Sequence, residues 1–355
     1  METIFVAMSG GIDSSYAAYL LKQQGYKVVG ITFKLFSDPS SMPMQRAKKR
    51  ADELSIPHHV IDLRKEFQYH VVDPFVEGYR NGRTPNPCIL CNEYIKSSSF
   101  ITKALEMGGE KVATGHYAII EKIGDEYFIK KGVDKAKDQS YFLYRIQQRL
   151  LNLILFPLGR YTKKSIRDSL RSIRWNIDYR GESQDICFIK NRNYRSFLSR
   201  FITLKQGPIY YVDGTFMGYH DGIQLYTVGQ RKGINIPYKE PLYVIEIIPD
   251  DNALIVGTKE KLKRDMVYAG ALHFFISCTH GTASGKVRYR QKETHCTYTI
   301  SDGSLKANFQ EPISSVTPGQ SIVLYKDDII IGGGIISSKD FLDKSPGDII
   351  EDERG

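Results

Sequence analysis

The sequence predicts an α/β chain: an N-terminal domain on a parallel sheet, then small β-barrels. Three observations carry this. The apolar run 4–7 leads into Gly10-Gly11 and then a helical stretch, 14–21, which is the strand–turn–helix unit of an α/β domain. Apolar runs go on alternating with helical patterns to about residue 200. Beyond residue 206, short β-rich runs alternate with Gly, Asp and Pro turns, the spacing of small barrels.

In chain order, strands are expected at 4–7, 28–32, 59–61 and 111–114, with helices at 45–54 and 95–107. A further helix is expected at 162–175. There Ile166, Leu170 and Ile173 fall on one face and Arg167, Arg171 and Arg174 form a neighbouring stripe that reads as a solvated face. The β-rich part offers runs at 209–212, 244–247, 254–257, 272–276, 321–325 and 328–332. Boundaries near 204 and 265 divide the chain into 1–204, 205–265 and 266–338, followed by a polar tail, 339–355. No internal repeat is visible.

Met8-Ser9-Gly10-Gly11-Ile12-Asp13-Ser14-Ser15 is the most informative stretch. Two glycines permit a tight turn and close approach of backbone to a ligand. A helix N-terminus directly after them offers free N–H groups and a positive dipole end to an anion. An ordinary βα turn capped by Asp13 or Ser14 is the plainer alternative. No Gly-Lys-Ser/Thr follows, so this is not a Walker A loop. The stretch resembles the Ser-Gly-Gly-x-Asp-Ser loop of the PP-loop ATP pyrophosphatases, whose domain is adenine nucleotide alpha hydrolase-like.

The second informative stretch is Arg83-Thr84-Pro85-Asn86-Pro87-Cys88-Ile89-Leu90-Cys91-Asn92. Its two prolines are expected to hold the chain extended up to Cys88. Cysteines at this spacing suit a metal or a redox pair. No second Cys-x-x-Cys occurs, so a structural four-cysteine zinc site is unsupported. Cys187, between Ile186 and Phe188, reads by itself as a core cysteine, as do Cys278 and Cys296. Five cysteines in 355 residues do not suggest a disulfide framework.

The formal net charge of +9 suggests a polyanionic partner, most simply nucleic acid. No stretch has the apolar length of a membrane span, and the start of the chain lacks a signal-peptide pattern, so no membrane partner and a cytoplasmic location are expected.

Taken together, the motifs are similar to those of the MnmA family, the bacterial tRNA-specific 2-thiouridylases. The likeness runs from about residue 3 to 336. It takes in the phosphate loop, 83–92, Ala113-Thr114-Gly115-His116-Tyr117, Lys137-Asp138-Gln139-Ser140-Tyr141-Phe142-Leu143, 182–189, Gln206-Gly207-Pro208, 227–233, Val287-Arg288-Tyr289-Arg290-Gln291 and Val316-Thr317-Pro318-Gly319-Gln320. The resemblance implies a PP-loop catalytic domain on a parallel sheet, a small central domain and a C-terminal β-barrel, and thiolation of C2 of the wobble uridine (position 34) of tRNA, with ATP and Mg²⁺. It makes Cys91 the nucleophile and Cys187 the persulfide carrier, served by a persulfide sulfur-donor protein. It implies ATP contacts at Ala7, Met8, Ser9, Gly10, Gly11, Ile12, Asp13, Ser14, Phe33 and Gly115. It implies tRNA contacts at Asn86, Pro87, Cys88, His116, Lys137, Asp138, Gln139, Arg288, Tyr289 and Gln320.

Two departures stand out. Cys88 occupies a place where the family pattern has Asp, and the segment 34–40 is shorter than usual, without its common Trp and Cys. The added thiol raises an alternative in which Cys88, Cys91 and Cys187 are the ligands of a 4Fe–4S cluster with one open iron. Another PP-loop ligase or amidotransferase is a further alternative. It would need an amine rather than a cysteine pair.

Overall fold

The computed structural model describes residues 1–36, 42–172, 175, 186–189 and 193–337. The chain divides into two compact units: residues 1–73, 87–192 and 328–330 form one, and residues 74–86, 193–327 and 331–355 the other.

The first unit is organised by a five-stranded sheet. Its strands are β1 (Thr3–Ala7), β2 (Lys27–Lys34), β3 (His58–Asp62), β4 (Lys111–Ala113) and, after a hairpin of β5 (Ala118–Ile123) and β6 (Glu126–Lys131), β7 (Ile154–Leu155). Their order is β3-β2-β1-β4-β7, and every pairing is parallel. The first strand is central because its Ile4, Phe5 and Val6 are all apolar and fully buried, which suits only a strand covered on both faces. Chain order reverses on either side of β1, so the crevice beyond the carboxyl ends of β1 and β4 is where such a sheet binds ligands. Residues 8–14 leave β1 there, and residues 114–117 leave β4 there.

Helices pack this sheet at the spacing the sequence indicates. In α1 (Ile12–Gln23), Ile12, Tyr16, Ala17 and Leu21 join a core that also takes Ala47 and Ala51 of α2 (Met42–Glu53). Two corrections apply to the cysteine segment. Helix begins at Pro87, not after Cys88, in α3 (Pro87–Leu90); proline is favoured in a helix's first turn, where its missing N–H costs nothing. The helix expected at 95–107 starts earlier, as a π-helical stretch, Cys91–Ser99, that continues into α4 (Phe100–Glu106). The helix expected at 162–175 is α5 (Lys163–Ser172); Ile173 and Arg174 of its expected faces lie outside the described residues. Its Ile166 and Leu170 are fully buried against α1.

The second unit holds two β structures. A four-stranded sheet, ordered β10-β11-β8-β9, comprises β8 (Gly207–Tyr211), β9 (Phe216–His220), β10 (Tyr243–Ile248) and β11 (Ala253–Gly257). A closed six-stranded barrel follows, of β12 (Lys263–Phe274), β13 (His280–Lys286), β14 (Thr294–Ser301), β15 (Ser304–Ser314), β16 (Ser321–Lys326) and β17 (Ile329–Ser337). Its order is β12-β15-β14-β13-β16-β17, and β12 pairs back to β17. Cys296 is buried in the barrel core and Cys278 packs against it, as their apolar neighbours indicate.

Leu170→Ala removes a fully buried side chain that anchors α5. It is expected to cost about 2–5 kcal/mol, read as a lowered urea midpoint for the first unit.

Candidate active site

The phosphate loop leads into a helix start without a side-chain cap, although the Ser9 and Gly11 amides are held by Ser14 Oγ and Ser9 Oγ. Gly11 is the N-cap of α1, and no side chain caps that helix, so the plainer reading of a turn capped by Asp13 or Ser14 does not hold. The serines brace the loop from within. Ser14 Oγ accepts from Ser9 N at 3.2 Å and donates to Gly11 O at 3.2 Å, and Ser15 Oγ donates to Gly11 O at 2.8 Å. Gly10 has φ +75°, and a Cβ there would lie 2.7 Å from Arg46 Cβ and 2.9 Å from the Ala47 nitrogen. Both its conformation and its missing side chain are therefore required. Met8 is tied to β2 by its N–H to Ile31 O, and its carbonyl accepts from Thr32 Oγ1 at 2.7 Å.

Gly115 lies against this loop. A Cβ at that position would come within 2.9 Å of both Asp13 C and Ser14 N. Phe33, at the end of β2, packs edge-to-face on Phe100 with centroids 5.0 Å apart. The structure thus gathers residues 7–14, Phe33 and Gly115 at one end of the sheet.

Asp13 does not stand free. Its Oδ1 accepts from Lys163 Nζ at 2.7 Å and from Tyr117 Oη at 2.6 Å. An ammonium already bound to a carboxylate oxygen opposes a second cation there, so this geometry does not fit Asp13 as a Mg²⁺ ligand.

The three motif thiols also belong to the first unit. Cys91 opens the π-helical stretch and is buried, while Cys88 and Cys187 are exposed to solvent with protein packed around them. Cys187 is therefore not the core cysteine its apolar neighbours suggest. Burial pushes the Cys91 thiol up to about 11, and nearby Cys88 adds to the rise. Burial pushes Cys187 up to about 12, with Cys91 and Cys88 as further causes, so the three sulfurs sense one another. Burial raises Cys88 as well. Lys96 is the opposing influence on all three. Among the described residues, no three His, Cys, Asp or Glu side chains are grouped to hold a metal ion, so the thiols as placed do not fit a shared metal.

Lys96 also reaches His116, with Nζ 3.3 Å from Nε2, while His116 Nδ1 lies 2.7 Å from Thr114 Oγ1. Burial, then the Lys96 charge, lowers the His116 pKa well below its ordinary value. The ring is thus neutral at pH 7. With Nε2 accepting from the ammonium, Nδ1 carries the proton.

The expected tRNA residues divide between the units. In the first, Asp138 is buried and its carboxylate accepts from Gly132 N, Ser140 N and Ser140 Oγ, so it organises its own loop. Gln139 clamps Tyr117: its N–H donates to Tyr117 O, and its Oε1 accepts from Tyr117 N. Lys137, next to them, is half-buried. In the second unit, Arg288 Nη2 donates to Val228 O at 2.7 Å and to Thr317 Oγ1, which joins the barrel to the 227–233 loop. Gln320 Nε2 donates to Thr84 O at 2.7 Å and fixes the segment leading to Asn86. Tyr289 carries the Lys286 ammonium over its ring at 5.7 Å.

Comparison with known proteins covers most of the chain. Residues 2–191 match the family described as the tRNA methyl transferase HUP domain. Residues 195–258 match the tRNA methyl transferase PRC-barrel domain, and 264–336 the aminomethyltransferase beta-barrel domain. The chain is 41% identical over 352 residues to "tRNA-specific 2-thiouridylase MnmA 1" of Clostridium botulinum (strain Loch Maree / Type A3), covering 94% of this chain and 99% of that protein. The chain belongs to the MnmA family. Other MnmA relatives include that of Halothermothrix orenii, 39% identical with 95% of this chain and 99% of the relative covered. A solved 4-thiouridine synthetase–RNA complex with bound ATP overlaps 48% of this chain and 40% of its own, at 19% identity and TM-score 0.34, too slight a likeness to carry argument.

Sequence reasoning missed Lys96, Tyr117 and Lys163 as site residues of this MnmA chain. Lys96, five residues after Cys91, gains meaning only once the stretch between them is π-helical, a form that the sequence does not announce. Lys163 had no signal, because only the packing of α5 brings it to the loop.

Two outcomes are expected. Gly115→Ala forces a side chain onto rigid backbone, so ATP affinity should fall at least tenfold with circular dichroism unchanged. Alkylation of Cys91 and Cys187 by iodoacetamide, read residue by residue by peptide mass spectrometry, should be slow at about pH 7.5 and accelerate only above about pH 10, since burial raises both thiols.

Proposed function

We propose that this chain carries out ATP-dependent 2-thiolation of the wobble uridine of tRNA, as a tRNA-uridine 2-sulfurtransferase. The observation that supports it best is one unit holding both an uncapped phosphate loop and a set of mutually sensing thiols. Activation and sulfur delivery need those two chemistries side by side. The basic chain suits tRNA as partner. No described helix is long and apolar enough to cross a membrane. A cytoplasmic location suits an enzyme acting on tRNA.

Oxygen is a poor leaving group from uridine C2. The O2 atom attacks the α-phosphate of ATP, pyrophosphate leaves, and the base becomes an O-adenylated electrophile. The amides at Ser9–Ser14 offset the charge of the departing pyrophosphate. Mg²⁺ enters with the nucleotide, held by its phosphates.

Sulfur arrives as a persulfide on Cys187, supplied by a donor protein. With the Cys187 thiol pushed up to about 12, the plain thiol is a poor nucleophile at neutral pH. A persulfide's terminal sulfur is the more acidic and stays ionised more readily. It attacks C2, and AMP leaves with the oxygen. Cys91 then attacks the Cys187 sulfur, which yields 2-thiouridine and a Cys91–Cys187 disulfide that a thiol reductant reopens. The base must leave its stack to reach this chemistry. In the first unit, neutral His116 and Lys137 are suited to contact a splayed base; in the second, Tyr289 is suited to contact RNA, and Arg288 and Gln320 to set segments of their own unit.

Cys187→Ala should release pyrophosphate with ATP and tRNA yet form no 2-thiouridine, as read by nucleoside mass spectrometry. Native protein purified in air and free of iron should thiolate when given a persulfide donor. Activity confined to anaerobic, iron-loaded protein would replace this route with one through a 4Fe–4S cluster on Cys88, Cys91 and Cys187.

A further inference from the structure

A lysine is rarely buried without cause. Lys163 has a side chain 6% exposed, and it ends on Asp13, whose side chain is 34% exposed. The pair is lopsided: the ammonium is enclosed and the carboxylate, in the first turn of α1, is partly open to solvent. Two anchors hold Lys163 there. Ile166 and Leu170 of its own helix are fully buried, and its backbone N–H donates to Asp134 Oδ2 at 2.8 Å. Tyr117, clamped by Gln139, meets the same Asp13 oxygen from the β4 side.

Asp13 occupies the first turn of α1. A helix N-terminus offers about half a positive charge to an anion. One full negative charge in that turn outweighs it, and the loop would then repel the polyphosphate it has to hold. With Lys163 attached, the two side chains sum to zero and the half-charge of the helix survives. Stability alone is a poor explanation, because an enclosed ion pair is seldom worth more than a well-packed apolar pair.

We propose that Lys163 is a positioning residue of the adenylation step: it cancels the Asp13 charge beside the phosphate loop, so that ATP meets a net positive field. Tyr117 contributes direction and not charge. The inference rests on the ATP-dependent reading above.

The test is the affinity of full-length protein for MgATP without tRNA, with circular dichroism and tRNA affinity as controls of folding. Lys163→Met strands the carboxylate and should weaken MgATP at least tenfold, while tRNA affinity holds. Asp13→Asn keeps an acceptor for both donors and should bind MgATP as tightly as native protein or more tightly. Asp13→Asn/Lys163→Met should return to within about threefold of native, and Tyr117→Phe should stay within the same range. A double variant as weak as Lys163→Met would mean that the ammonium itself touches phosphate, and would overturn the proposal. So would a tenfold loss in Asp13→Asn, which would mean that ATP needs the carboxylate. If Lys163→Met does not fold, Asp13→Asn and the double variant decide in the same terms. Native protein that binds no MgATP would overturn the ATP-dependent reading itself, a failure distinct from an altered pattern among the variants.

Discussion

Between Gly115 and the backbone of Asp13 and Ser14 there is no room for a side chain. The rest of the catalytic unit follows from that closeness. It holds the loop leaving β4 against the loop leaving β1 at the point where the sheet reverses its order. Once the two are in contact, His116 and Tyr117 have their positions. One turns toward Lys96 and the thiols, the other toward Asp13. A single glycine therefore couples the nucleotide end of the site to the sulfur end through rigid backbone, where flexible side chains would transmit position poorly.

The sulfur end shows what enclosure costs and gives. Removing thiols from water disfavours their ionised forms, and three close together disfavour one another's ionisation further. Cys91, the buried one, is a poor target for stray oxidants and alkylating agents, since those react with thiolates. The same enclosure strengthens every charge brought near them, so Lys96 acts over a low-dielectric path. Its partner His116 is neutral and does not compete for that role.

Much of this was legible in the residues. The β1 run, the two glycines and the serines after them announce an anion site before any coordinates, because each residue type has one local job there. The barrel strands show less plainly. β13 has only Gly and small residues on its inward positions, and β14 alternates Cys296, Tyr298 and Ile300 with Thr without giving a continuous apolar run. The helix start at Pro87 was misread because proline blocks helix interiors yet suits first turns, and the sequence does not say which position it holds. Lys163 was illegible for a deeper reason. Its helix announces an apolar face, but the residue at its head gains meaning only from the carboxylate 150 positions away that packing brings to it.

The π-helical stretch from Cys91 to Ser99 carries a consequence for how this segment can vary. In an α-helix, a residue five positions on lies roughly 140° around the axis from the first. The wider π turn swings position i+5 back toward position i, so Cys91 and Lys96 stay on one side of the rod. Exchanging residues 92–95 for others of similar size leaves that relation intact. Adding or deleting one among them swings the ammonium away from the sulfur atoms, even if every functional side chain is kept. Across descendants of this chain, spacing in this segment should therefore be held more strictly than the identity of the residues that fill it.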